Sequence, residues 1–169
     1  LYIFTNCDAV LFEMGGQPSI YLDKGDPRFA SLPHPIFRID SLHGAWGLDW
    51  KNAKITGYVD GKPVISKTLL ADPLPTYLSL VPSSKAVAEN DAVYFGAQLL
   101  DQAGNPLVRS MDILEIEVSD GTLIGPHLVT LNGGTYGFYV KADKPGKLNV
   151  SVSCRDLSAK QEVAVYAQD

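Results

Sequence analysis

The chain is poor in the residues that carry most redox, metal and membrane chemistry. Of its 169 residues only two are cysteine, Cys7 and Cys154, where a disulfide-dependent scaffold carries more. Cys154 falls on the apolar phase of Leu148, Val150 and Val152, which favours a buried free thiol. A Cys7–Cys154 bridge would have to join the two halves of the chain. There are three histidines, His34, His43 and His127, and none has metal-type spacing to another histidine or a cysteine. His34, held between Pro33 and Pro35, reads as a loop residue. No apolar run approaches the ~20 residues of a membrane helix, so no membrane span is expected. Lysine and arginine are scattered singly in a chain of net charge −5. That excludes the cationic footprint that nucleic acid requires. No signal peptide and no initiator methionine are present. The chain opens on Leu1-Tyr-Ile-Phe4, a strand already under way, and reads as a fragment of something larger.

What the sequence does have is punctuation. Fifteen glycines and eleven prolines divide a chain that is 46 % apolar into many short segments, the mark of an all-β fold. The clearest segment is Ala92–Leu100, where Val93, Phe95, Ala97 and Leu99 alternate with polar or small residues. That period of two fits a strand half buried against a second sheet. The turn Asp101-Gln-Ala-Gly-Asn-Pro106 comes next. Gly104 and Asn105 tolerate positive φ there, and Pro106 is expected to stop further ladder pairing. Strands are also predicted at Tyr77–Leu80, Ile113–Val118, Tyr136–Val140, Lys147–Ser153 and Gln161–Tyr166. Ser84–Glu89 reads as a loop or short strand. In the first half, Tyr2–Phe4, Ala9–Met14, Ile36–Ile39 and Lys54–Val59 read as strands. Gly15-Gly16 and Asp60-Gly61 are hairpin turns, the second leading into Val64-Ile65. The stretch 70–76, with Pro73 and Pro75, reads as a stiff linker. The expected architecture is two tandem immunoglobulin-like β-sandwich domains, 1–73 and 76–169.

Candidate chemistry is thin. Glu115 and Glu117 share the outward phase of one strand, so they point together into water; Glu13 lies opposite the Phe12/Met14 phase, and Asp112 is a candidate by type alone. Glycoside hydrolysis needs two carboxylates facing each other across a cleft. A Ser41/His43/Asp49 triad has no G-x-S-x-G elbow behind it. Asp91, Asp101 and Asn105 offer oxygen ligands near turns, but outside any EF-hand spacing, and turn roles account for them. No catalytic residue, metal ligand or cofactor site is therefore assigned. Trp46, Trp50 and Tyr58 cluster in the first half. They are the candidate carbohydrate-binding residues, since flat aromatic faces stack on pyranose C–H faces. Sandwich cores bury tryptophan as routine packing too, and packing is the preferred reading.

Several segments, in order, resemble one family. Phe4-Thr-Asn-Cys-Asp-Ala-Val-Leu-Phe-Glu-Met14 resembles the strand that comes after the catalytic barrel in the β-galactosidase-like enzymes of glycoside hydrolase family 2. Pro33–Phe37 and Gly57–Lys62 are similar to later steps of that domain. Leu78–Leu80, Asp101–Pro106, Gly121–Leu123 and Gly133–Tyr136 are similar to the immunoglobulin- or invasin-like domain beyond it. Gly15-Gly16 departs from the family's Asn-Gly, and Leu70–Pro73 from its usual step between domains. The resemblance implies a glycosidase C-terminal sandwich over 1–73 and an immunoglobulin/invasin-like one over 76–169. The family's catalytic glutamates lie in its upstream barrel, and no position here matches their motifs. The resemblance therefore implies a non-catalytic accessory region of a periplasmic or extracellular β-galactosidase-like enzyme. Its partners would be the upstream catalytic domain, glycan and homo-oligomer contacts. A carbohydrate-binding module and an adhesin-type immunoglobulin-like spacer are the alternatives.

Overall fold

The computed structural model describes residues 1–40, 42 and 51–167. It is all-β: fifteen strands and a single 3-10 turn at Pro27–Phe29 account for the regular structure among the described residues. The chain divides into two compact units, Leu1–Asp72 and Pro73–Asp169. No helix among the described residues is long and apolar enough to cross a membrane.

The first unit is built from β1 (Tyr2–Phe4), β2 (Ala9–Met14), β3 (Ile20–Leu22), β4 (Ile36–Arg38), β5 (Ala53–Val59) and β6 (Lys62–Leu69). β1 and β4 form a two-stranded antiparallel ribbon, with Ile3 opposite Phe37. The other four make an antiparallel sheet in the order β3-β2-β5-β6. Alternation decides which residues face inward: Val10 and Phe12 pack on Ile3, Phe37 and Ile39 of the ribbon side. The β5–β6 turn has Asp60 at φ 50° and Gly61 at φ 72°. Positive φ at both turn positions is what the Asp-Gly pair supplies in a two-residue hairpin. The Asp60 amide also donates to the Asp8 carboxylate at 2.9 Å. β3 and the 3-10 turn fall where the sequence carries no strand or helix signal.

The second unit comprises β7 (Tyr77–Pro82), β8 (Ala86–Ala88), β9 (Ala92–Leu100), β10 (Ile113–Ser119), β11 (Gly121–Ile124), β12 (Leu128–Thr130), β13 (Thr135–Ala142), β14 (Gly146–Cys154) and β15 (Leu157–Tyr166). They form a five-stranded sheet, β12-β10-β14-β15-β8, and a four-stranded one, β11-β13-β9-β7. Every pairing is antiparallel except β8 with β15. The sheets bury Phe95, Leu99, Leu114, Ile116, Leu148 and Val163 between them. Phe95 and Phe138, directly opposite on neighbouring strands, stack with centroids 5.6 Å apart. Burying side chains of this size contributes roughly 1.5–3 kcal/mol each, before the entropy of ordering them.

The turn after β9 differs from expectation in two ways. Gly104 takes φ 77°, but Asn105 is not among the positive-φ residues. Asn105 instead turns its backbone and side-chain amides to Asp101. Pro106 does not end pairing: it bridges Leu100, and the Leu107 amide donates to the Leu99 carbonyl at 2.9 Å. The proline's missing donor is made good by the next residue. Within 84–89, Ala86–Ala88 is a strand. Cys7 and Cys154 are both free and buried, so the bridge between the two halves is not formed.

Candidate functional site

The outer faces of the sheets carry the exposed aromatic groups. On the four-stranded sheet of the second unit, β9 and β13 place Tyr94 directly opposite Tyr139 and, two residues on, Gly96 opposite Gly137. The two tyrosine rings meet edge to face, centroids 5.4 Å apart at 63°, a favoured quadrupole arrangement. The glycines are what let Tyr94 lean along the sheet. A Cβ on Gly137 would lie 2.7 Å from Cε2 and 2.8 Å from Cζ of that ring. The hydroxyl end of the ring thus comes edge-on against Gly137, where a side chain would collide with it, and Tyr94 remains 41 % exposed. One row beyond the glycines, Ser79, Gln98 and Thr135 share the same outer face. On the far side of the tyrosines come Lys141 and Thr122, the Thr122 hydroxyl donating to Asp143 at 2.8 Å. This cluster was missed in the sequence. Its signal was the outward phase Tyr94-x-Gly96-x-Gln98 against Thr135-x-Gly137-x-Tyr139.

Of the aromatic residues singled out from sequence, Trp46 and Trp50 lie outside the described residues. Tyr58 is half-buried on β5, edge to face with the exposed Tyr21 of β3, centroids 5.8 Å apart. Ala9 and Leu11 of β2 stand between them in register. Ser41, His43 and Asp49 also lie outside the described residues. His34 is exposed in its loop. His127 has Nδ1 3.0 Å from the Ile116 carbonyl oxygen, which makes Nδ1 the donor.

The carboxylates are engaged locally. Glu115 and Glu117 project side by side from β10 and accept hydrogen bonds from Ser153 and Ser151 across the strand pair, at 3.4 and 3.3 Å. Glu13 stands opposite Lys54. Asp112 accepts from the Ser110 hydroxyl at 2.6 Å and from Arg155 at 2.9 and 2.8 Å. The Ser110 hydrogen bond first, then the Arg155 pair, hold its carboxyl below the usual range. Asp26 is held by Arg28, with Arg38 nearby, and its pKa falls to about 2. The Arg28 guanidinium also donates to the Tyr2 hydroxyl at 2.8 Å. Asp91 and Asp101 serve turns through backbone hydrogen bonds. Among the described residues, no three His, Cys, Asp or Glu side chains gather as a metal site would require.

No family model matches the chain. It is 37 % identical over 146 residues to a β-galactosidase of Rhizobium meliloti, a match covering 80 % of this chain and 19 % of that enzyme. It is 34 % identical over 122 residues to a β-galactosidase sequence of Rhizobium radiobacter, covering 70 % of this chain and 88 % of that sequence. Its fold matches that of a glycosyl hydrolase family 2 member from Bacteroides cellulosilyticus with a TM-score of 0.65 at 15 % identity, over 96 % of this chain and 24 % of that one. The chain thus spans about a fifth of the length of the R. meliloti enzyme. It belongs to the β-galactosidase-like enzymes of glycoside hydrolase family 2 and corresponds to a C-terminal portion of them.

Proposed function

We propose that this region is non-catalytic and supports the catalytic barrel, the cleft or the oligomer of a β-galactosidase-like enzyme, in a periplasmic or extracellular setting. The supporting observation is the disposition of the carboxylates. Glu115 and Glu117 leave one strand in the same direction, and Asp112 and Asp26 are tied into arginine pairs. A glycosidase instead needs two carboxyl groups flanking the scissile bond, about 5–9.5 Å apart across it. The purified 169-residue chain is expected to leave o-nitrophenyl β-galactoside intact. Turnover that Glu115→Gln or Glu117→Gln abolishes would overturn this reading. A second reading, in which Tyr58 with Trp46 and Trp50 contacts glycan, draws on the Tyr21–Tyr58 pair at the sheet surface. Quenching of tryptophan fluorescence by a galacto-oligosaccharide, lost in Trp46→Ala or Trp50→Ala, tests it.

A further inference from the structure

We propose that Asn132–Gly133 is a self-modification site, where the chain slowly converts Asn132 to aspartate and isoaspartate through a cyclic imide, assisted by Thr135. Asn132 is the one asparagine in the sequence that precedes a glycine. It lies between β12 and β13, bridged to Thr135 across a two-residue turn. Gly133 and Gly134 fill that turn at φ 62° and 74°, values that glycine adopts without steric cost. Asn132 itself is exposed.

Both reacting groups are unclaimed. Among the described residues, no hydrogen bond holds the Asn132 carboxamide, and the Gly133 amide donates to no group. Gly133 has no side chain to hinder approach to its nitrogen. In the ring-closing step that nitrogen gives its proton to solvent and attacks Cγ of Asn132. The N–Cγ bond forms and the Cγ–Nδ2 bond breaks. The side-chain nitrogen takes a proton from water and leaves as ammonia. Water then opens the imide at either carbonyl, giving aspartate or isoaspartate at position 132. The sequence of steps consumes one water, releases one ammonia and involves no oxidation or reduction.

Thr135 is what the fold adds to the dipeptide. When the Gly133 nitrogen loses its proton, resonance carries the charge onto the Asn132 carbonyl oxygen. Two donors already meet that oxygen, the Thr135 hydroxyl at 3.1 Å and the Thr135 amide at 3.3 Å. Donors fixed at an oxygen where charge develops lower the barrier. The product bears on the turn that made it. Gly134 donates to the Ser110 carbonyl at 2.9 Å and accepts from the Leu99 amide at 2.8 Å. Isoaspartate lengthens the backbone by a methylene two residues before that anchor, so the altered turn pulls against both bonds.

The test is incubation of the folded 169-residue chain in mildly alkaline buffer, read by ammonia release and by mass spectrometry of its proteolytic peptides. Conversion is expected at Asn132 before any other asparagine, and Asn132→Gln should lose it. Thr135→Val should slow it about tenfold, the worth of one hydrogen bond to a developing charge. Thr135→Ser, which keeps the hydroxyl, should convert at the wild-type rate. If Thr135→Val does not fold, the native wild type and Asn132→Gln decide between them. The same chain unfolded in guanidinium sets the clock. An intact Asn132 in the native chain when the unfolded chain has fully converted there would overturn the proposal. So would earlier conversion of another asparagine, or an unchanged or faster rate in a folded Thr135→Val.

Discussion

Asp101 holds Asn105 across the turn at the end of β9. One carboxylate oxygen of Asp101 accepts the backbone amides of Ala103 and Asn105, each at 2.8 Å, and the side-chain amide of Asn105 reaches the other oxygen at 3.2 Å. Asp101 is only 3 % exposed. Removing it takes the acceptor from two backbone amides of the turn and from the Asn105 side chain at once, and each such hydrogen bond contributes about 1 kcal/mol. Asp101→Ala should therefore destabilise the chain by about 2–3 kcal/mol, and Asn105→Ala by about 1 kcal/mol. Urea denaturation of the two variants checks the order; equal losses would show that the carboxylate is not the centre of the turn.

Among the described glycines, Gly134 is the least able to change. Its φ is +74°, and a Cβ there would lie 2.5 Å from the Leu107 carbonyl oxygen. Both the left-handed conformation and the backbone clash oppose a side chain, and neither can be relieved by a rotamer. Gly134→Ala should cost at least about 2 kcal/mol. Gly104→Ala, at φ +77° but with open space around it, should cost about 1 kcal/mol. Thermal denaturation of the pair separates conformational strain from collision.

Phe95 is fully buried and stacks on Phe138. Phe95→Ala should lower stability by about 3–5 kcal/mol through lost transfer energy and the cavity left behind. Tyr136 is only partly buried on the rim of the same core, and Tyr136→Ala should cost less. Equal losses would mean that the rim, rather than the Phe95 layer, sets the stability of the second unit.

Acid should weaken the first unit in a defined window. The Arg28 hydrogen bonds, with further help from Arg38, lower the Asp26 pKa to about 2, against about 3.9 for an unfolded aspartate. A carboxyl depressed on folding stabilises above its unfolded pKa and loses that contribution as pH falls toward the folded one. Asp26 therefore contributes fully above about pH 5, and its share declines between about pH 4 and pH 2. Stability of the wild type should fall more steeply than that of Asp26→Asn over this range. Parallel curves in chemical denaturation at pH 5, 4, 3 and 2 would rule out the Asp26–Arg28 pair as the titrating element.

Burial also governs the thiols. Burial, with the Asp112 charge adding to it, raises the Cys154 pKa, and Cys7 is buried against Gly57. Since only the thiolate reacts quickly, the folded chain should be slow toward a disulfide reagent, and two equivalents should react once it is unfolded in guanidinium. Rapid reaction of Cys154 in the native chain would contradict its place in the core.

Much of the second unit was legible because its strands are amphipathic. Val93, Phe95, Ala97 and Leu99 alternate cleanly, and β9 begins and ends where that alternation does. The short edge strands were not legible. Ile20–Leu22, Gly121–Ile124 and Leu128–Thr130 bury little, so no periodic pattern marks them; their pairing is set by neighbours distant in sequence. Proline was over-read at Pro106, where the following amide restores the ladder. The Tyr94–Tyr139 cluster was hidden for another reason. Its defining feature is two glycines on different strands, and only the register of β9 against β13 brings them together.

The parallel contact between β8 and β15 has a temporal meaning. Ala86–Ala88 and Ala164–Tyr166 become neighbours only after almost the whole second unit has been made. On a ribosome, β8 emerges early and waits with an unpaired edge while the β9–β14 segment is synthesised. The five-stranded sheet can close only when Tyr166 has cleared the exit tunnel, so this unit should acquire its final structure late and through long-range contacts, the slow regime of folding.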